Sequence, residues 1–227
     1  MPKISILPSL LAADPGNLEA AARRAESAGA DGLHIDIMDG HFVPNLSMGP
    51  DVVRMVRRVV KINLSVHLMM SKPGDFLERF VKAGADTLLI HIEIEGNVRA
   101  MLERIRALGA RPGITLNPAT PAAAMAACLP AVEEVLCMTV KPGYGGQKFM
   151  GEVLPKISDV RQTAVQAGRD LDISVDGGID GATAPRVAAA GANILIAGTS
   201  LYGAPDMRAA IDRMRADAAA AIARGKA

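Results

Sequence analysis

The sequence predicts an α/β protein, a (β/α)8 TIM barrel with a closed, parallel, eight-stranded sheet. Three observations carry that reading. Eight short apolar, β-branched runs recur along the 227 residues. Ala-, Arg- and Glu-rich stretches with helical spacing separate them. The polar residues of note fall at the ends of those runs, on one side of the plan, where barrels of this kind keep their chemistry. Strands alternating with helices imply a parallel sheet, because each crossover must return the chain to the same edge. A repeat of about 28 residues suits eight such units, and residues 1–227 read as one barrel, a single catalytic domain.

The first strand is expected at residues 4–7. It runs into Pro8-Ser9-Leu10-Leu11 rather than the Gly-rich dinucleotide turn of an open doubly wound sheet. The same opening run is short, broken by Pro8 and closed by Asp14, which makes it a strand rather than the core of a secretory leader. A helix over residues 18–28 stops at Gly29, and strands at 32–37 and 63–68 follow. The remaining strands are expected at 87–91, 111–116, 134–139, 172–175 and 193–197. Gly84, Gly109, Gly168 and Gly191 stop the helices before four of them, since Gly enters the left-handed conformation without a Cβ clash.

Composition narrows the function. Half of the residues are hydrophobic, enough for a full core. A net charge of +1, 3% aromatics and no Trp argue against nucleic-acid or anionic-membrane partners and against base-stacking platforms. Cys128 and Cys137, without metal-type spacing, fit a reducing cytoplasm rather than a disulfide framework. No stretch is long and apolar enough to cross a bilayer.

His34-Ile35-Asp36 is the sharpest local signal. Residues two apart on a strand share a face, so both side chains can enter the barrel while Leu33, Ile35 and Ile37 turn outward to the helices. His67 at the end of strand 3 and Asp176 at the end of strand 7 complete a His2Asp2 set. Two imidazoles and two carboxylates converging on one mouth are costly to bury without a counter-ion, and they suit one divalent ion: Zn, Fe(II), Mn or Co. A second constellation is a phosphate site. Residues 142–146 (PGYGG), Gly177-Gly178 and Gly198-Thr199-Ser200 follow strands 6, 7 and 8, and Gly lets backbone N–H groups approach phosphate oxygens. Met38, Met69 and Met138 lie near the same mouth, either as core filler or to exclude water. Residues 41–45 (HFVPN) form a loop that either folds over substrate or is a turn fixed by Pro44. His91 is expected to support the site or the fold rather than to ligate, with Glu93 beyond the strand.

A phosphate anchor beside a metal flanked by two Asp residues suggests proton transfer next to a carbonyl through an enediolate. One carboxylate would take the proton from one face, and the other, protonated, would return one to the opposite face.

The residues carrying these features resemble the ribulose-phosphate 3-epimerase family over nearly the whole chain. The matching segments are 8–14 (PSLLAAD), 34–45 (HIDIMDGHFVPN), 66–69 (VHLM), 117–121 (NPATP), 142–147 (PGYGGQ) and 176–179 (DGGI). The resemblance implies a metal-dependent isomerase that interconverts D-ribulose 5-phosphate and D-xylulose 5-phosphate in the pentose phosphate pathway. It implies Asp36 as proton acceptor and Asp176 as donor, with His34, Asp36, His67 and Asp176 holding the metal. It further implies substrate contacts from Ser9, His67, Gly143, Tyr144, Gly145, Gly146, Asp176, Gly177, Gly178, Gly198 and Thr199, and a cytoplasmic homo-oligomer, dimer or hexamer. Two departures bear on the substrate. Lys141 stands where the family commonly has Asn before Pro-Gly, and residues 198–200 read Gly-Thr-Ser, as in the related allulose-6-phosphate 3-epimerases. A six-carbon ketose-phosphate 3-epimerase is therefore the nearest alternative. An inactive sugar-phosphate-binding barrel is the non-enzymatic one.

Overall fold

A computed structural model describes residues 3–224. Eight parallel strands form one sheet: β1 (Ser5–Pro8), β2 (Gly32–Met38), β3 (Asn63–Met69), β4 (Thr87–His91), β5 (Arg111–Leu116), β6 (Glu134–Met138), β7 (Asp172–Asp176) and β8 (Ile194–Ala197). Their order is β1-β8-β7-β6-β5-β4-β3-β2, which leaves β1 and β2 at the two ends. A parallel bridge between Ser9 and His34 draws those ends together, while Ser9 N–H donates to the Ala197 carbonyl at 3.0 Å. The expected barrel is therefore present, and Ser9 lies at its seam.

The helices are α1 (Leu18–Ser27), α2 (Pro50–Val59), α3 (Leu77–Ala83), α4 (Val98–Ala107), α5 (Leu154–Gln166), α6 (Ala184–Ala189), α7 (Thr199–Tyr202) and α8 (Met207–Arg224). All five expected stop glycines have positive φ; Gly84, at +110°, would also drive a Cβ to 2.5 Å from Arg57 Cγ. The regular strand–helix rhythm breaks after β5. There the chain runs through 3-10 turns over Ala122–Ala131, with Pro130 inside them. Proline removes a donor and clashes with the preceding turn, and this segment has no polar face to pattern a helix.

Strand ends differ from expectation by a residue or so. β2 and β3 continue through Met38 and Met69, and β7 takes in Asp176. Asn193 and Thr139 lie just outside their strands, and their side chains serve the backbone. Asn193 Oδ1 accepts from Ile173 N–H at 2.8 Å, and Thr139 Oγ1 donates to the carbonyls of Asp176 and Gly177 at 2.8 and 2.6 Å.

The period-two alternation sorts the side chains as expected. Leu33, Ile35 and Ile37 are buried in the main core between sheet and helices. A second, smaller cluster fills the barrel itself, built from Leu7, Leu89, Leu136, Met138, Val140, Ile194 and Ile196. Gly113 makes room for it, since a Cβ there would lie 2.3 Å from Leu89 Cδ2. Burying each such Leu or Ile contributes about 1.5–3 kcal/mol, so the platform under the mouth is a packed solid rather than a channel. Among the described residues, no helix is long and apolar enough to cross a membrane.

Candidate active site

Register brings the ligand-type side chains together. In the β2–β3 ladder Asp36 stands opposite His67 and His34 opposite Ser65, so residues from adjacent strands share the inner face about 4.8 Å apart. Asp176 ends β7 opposite Met138 on one side and Ile196 on the other. One ligand atom from each of His34, Asp36, His67 and Asp176 lies within 4.8 Å of the others. These four form a cluster that could hold a metal ion.

Asp36 is the hub. Ser9 Oγ donates to its Oδ2 at 3.0 Å, and His67 Nδ1 lies 3.1 Å from its Oδ1. His34 Nε2 lies 3.3 Å from the same Oδ1, yet it is buried and has no hydrogen bond of acceptable geometry. A buried imidazole nitrogen without a partner is costly. That nitrogen, two carboxylates and a second imidazole make a donor set of the kind that holds Zn, Fe(II), Mn or Co. The residues therefore fit a divalent ion.

The two carboxylates differ in protonation. Burial acts to raise Asp36, but the adjacent His34 charge, with a smaller contribution from His67, outweighs it and holds the carboxyl well below the usual range. Burial pushes Asp176 up to about 7, reinforced by the nearby Asp36 charge. Burial brings His67 down to about 4, despite its contact with Asp36. His34 moves upward, because the Asp36 charge overcomes its burial.

Above the cluster opens a cavity of about 610 Å3. Asp36 and Asp176 reach its floor, and Ser9, Gly143, Tyr144, Gly145, Gly146, Gly177, Gly178, Gly198 and Thr199 line it, as do Met38, Met69 and Met138. His34 and His67 do not line it; both are fully buried beneath. The glycine corner is sterically demanding. Gly177, at φ +115°, would put a Cβ 2.4 Å from Val140, and Gly178, at φ +65°, would put one 2.6 Å from the Phe149 backbone nitrogen.

The loop after β2 is a turn, although not one fixed by Pro44. Asp39 Oδ1 accepts from the N–H groups of His41 and Phe42, each at 2.8 Å, so Asp39 rather than Pro44 organises the turn. The loop also reaches across the mouth: Asn45 Nδ2 donates to the Gly143 carbonyl at 2.8 Å, and the Tyr144 hydroxyl donates to the Pro44 carbonyl at 3.0 Å. Lys141 is exposed and lies outside the lining. The cations that do line the cavity are Lys148 and Arg186, the latter stacked on Phe149 with 5.2 Å to the ring centroid. Sequence reasoning missed both, because each sits several residues from the motifs and only the folded loops bring it to the mouth. His91 lies outside the ligand set, as expected. Glu93, although beyond the strand, turns back to within 3.0 Å of His91 Nδ1.

Comparison with known proteins agrees with this geometry. Residues 5–202 match the model of the family described as "Ribulose-phosphate 3 epimerase family". The chain is 45% identical over 213 residues to a Bacillus subtilis protein named ribulose-phosphate 3-epimerase, covering 93% of this chain and 98% of the relative. It is 44% identical over 214 residues to a ribulose-phosphate 3-epimerase, cytoplasmic isoform, of Oryza sativa, covering 92% of each. Among solved structures, orotidine 5'-phosphate decarboxylase from Pyrococcus horikoshii superposes with a TM-score of 0.68 at 14% identity, over 94% of this chain and 99% of that one. That last likeness concerns the fold alone.

Proposed function

This chain belongs to the ribulose-phosphate 3-epimerase family, and we propose that it inverts C3 of D-ribulose 5-phosphate to give D-xylulose 5-phosphate, and the reverse, by moving protons between two opposed carboxylates. The observation that carries the reading is the pair Asp36 and Asp176, which face one cavity from β2 and β7 in contrasting environments. Asp36, ionised and steadied by Ser9 and the two imidazoles, removes the C3 proton from one face. The electron pair passes into the adjacent carbonyl and leaves an enediolate. Asp176, protonated, returns a proton to the opposite face, and the configuration at C3 inverts. In the reverse direction the two exchange roles.

His34, Asp36, His67 and Asp176 would hold a divalent ion, which supplies Lewis-acid stabilisation of the negative charge that develops on the ketose oxygens. The phosphate is placed at the glycine corner, on Gly177, Gly178, Gly198 and Thr199, with residues 143–146 closing over it and Lys148 and Arg186 adding positive charge. Met38, Met69 and Met138 keep the reacting carbon dry. Lys141, outside the lining, offers no hold on a longer sugar, which favours five carbons over six. The same family reading makes the protein a cytoplasmic homo-oligomer.

A direct assay of the metal-loaded protein on ribulose 5-phosphate and allulose 6-phosphate tests the assignment. The five-carbon ketose is expected to turn over with the higher kcat/KM. Preference for the six-carbon sugar would move the protein to the neighbouring activity, and inertness toward both would leave only a binding role.

A further inference from the structure

Behind His67, on the side away from the cavity, runs a line of polar contacts, buried at His67 and His91 and reaching the surface at Glu93, that the proposed reaction does not use. His67 Nε2 lies 2.9 Å from His91 Nε2, and His91 Nδ1 lies 3.0 Å from Glu93 Oε2. The other oxygen of Glu93 accepts from the Asn117 N–H at 2.8 Å and from the Thr120 hydroxyl. The His67 and His91 rings meet edge to edge, with centroids 4.9 Å apart and planes inclined by 29°, and both residues are fully buried.

Proton counting along this line has one solution for neutral imidazoles. The backbone N–H of Asn117 can only donate, so it marks Glu93 Oε1 as an acceptor. The carboxylate then presents Oε2 to His91, whose Nδ1 carries the proton of that contact. Two N–H groups cannot face each other at 2.9 Å. With the single proton of His91 on Nδ1, the proton between the rings belongs to His67 Nε2. His67 Nδ1 is left with a lone pair, 3.1 Å from Asp36 Oδ1. Those two acceptors repel unless a cation joins them.

We propose that Glu93 and His91 are positioning residues that set the tautomer of His67, holding its proton on Nε2 so that Nδ1 offers its lone pair to the metal ion shared with Asp36. The inference rests on the metal reading above and extends it by one histidine. In a carboxylate–histidine–metal arrangement the carboxylate orients the ligand and raises its basicity. Here the carboxylate acts through His91, two rings away from the ion. It also explains why a Glu beyond the strand end turns back toward His91.

Glu93→Gln is the decisive variant because it keeps size while changing which atoms donate. The Asn117 N–H and the Thr120 hydroxyl draw the amide oxygen to the Oε1 position, so the amide NH2 faces His91 Nδ1. That reverses the line and places a proton on His67 Nδ1, where the ion should bind. Zinc affinity, measured by chelator competition, is expected to fall about 10- to 100-fold, with the thermal midpoint of the metal-free protein not lowered. In the zinc-loaded wild type, long-range 1H–15N spectra of the histidine rings should show His67 ligated through Nδ1 and protonated on Nε2, and His91 protonated on Nδ1. Ligation through His67 Nε2, or wild-type zinc affinity in Glu93→Gln, would overturn the relay while leaving the metal site standing. A wild type that binds no zinc would overturn the metal reading itself, and the relay with it.

Discussion

Asp36 and Asp176 face the same cavity, yet their surroundings are opposites. Asp36 sits in a lattice of side chains: Ser9 donates to one oxygen, and two imidazoles crowd the other. Among the described residues, no side chain hydrogen-bonds to the Asp176 carboxyl. The same contrast extends to the two halves of the mouth. The β2–β4 half is organised by side chains, and the β6–β8 half by glycine backbone. Two chemically identical groups are thereby separated into a carboxylate and a carboxylic acid near neutrality, which is what opposed proton transfer requires.

The sharpest way to break that comparison is to neutralise each carboxylate in turn. Asp36→Asn and Asp176→Asn should each lower kcat by about 10^3- to 10^4-fold. Only Asp36→Asn should also unfold more readily in urea, by about 3–5 kcal/mol, because it strips a buried charge from its partners. Equal stability losses in the two variants would erase the distinction. Chelation comes next. Metal-free protein should lose turnover to a similar degree and recover it on addition of zinc, cobalt or manganese, as judged by the same rate assay. Recovery should fail in His34→Ala.

The glycine half is expected to respond more mildly. Gly177→Ala forces a Cβ toward Val140 at a positive φ and should destabilise the fold by about 1–3 kcal/mol while raising KM. Gly145→Ala meets nothing within 4 Å and should stay within about 0.5 kcal/mol of wild type. A further effect is one of pH. Burial raises Asp176 to about 7 from the ordinary value of 3.8, so the folded state binds more protons there than the unfolded one. Its stabilising contribution is present below about 4 and is lost as pH rises through about 7. In metal-free protein, the stability difference between wild type and Asp176→Asn should therefore decline across that window, by no more than about 1.4 kcal/mol per pH unit. A flat difference would mean that Asp176 is not perturbed.

The parts of this arrangement that the sequence makes legible are the ones governed by local rules. His34 and Asp36 share a face because of the strand period, and Gly29, Gly84 and Gly191 mark helix ends because only glycine is free at positive φ. Asp176 stood out by ending a strand. What was hidden depends on loops crossing between elements. Glu93 lies past β4 in sequence, and only a turn held by Asn117 and Thr120 returns it to His91. Lys148 and Arg186 reach the cavity from α5's approach and from α6, with no motif to announce them. The 3-10 run over Ala122–Ala131 was obscured by its alanines, which favour helix locally until Pro130 intervenes.

The central claim is that protons reach C3 from two faces through two different groups. It is tested most directly by converting ribulose 5-phosphate in heavy water with metal-loaded protein and stopping within the first turnovers. Two opposed carboxylates predict xylulose 5-phosphate that carries deuterium at C3, with the unreacted ribulose 5-phosphate still largely protiated there. Xylulose 5-phosphate that keeps the substrate's own hydrogen at C3 would contradict it.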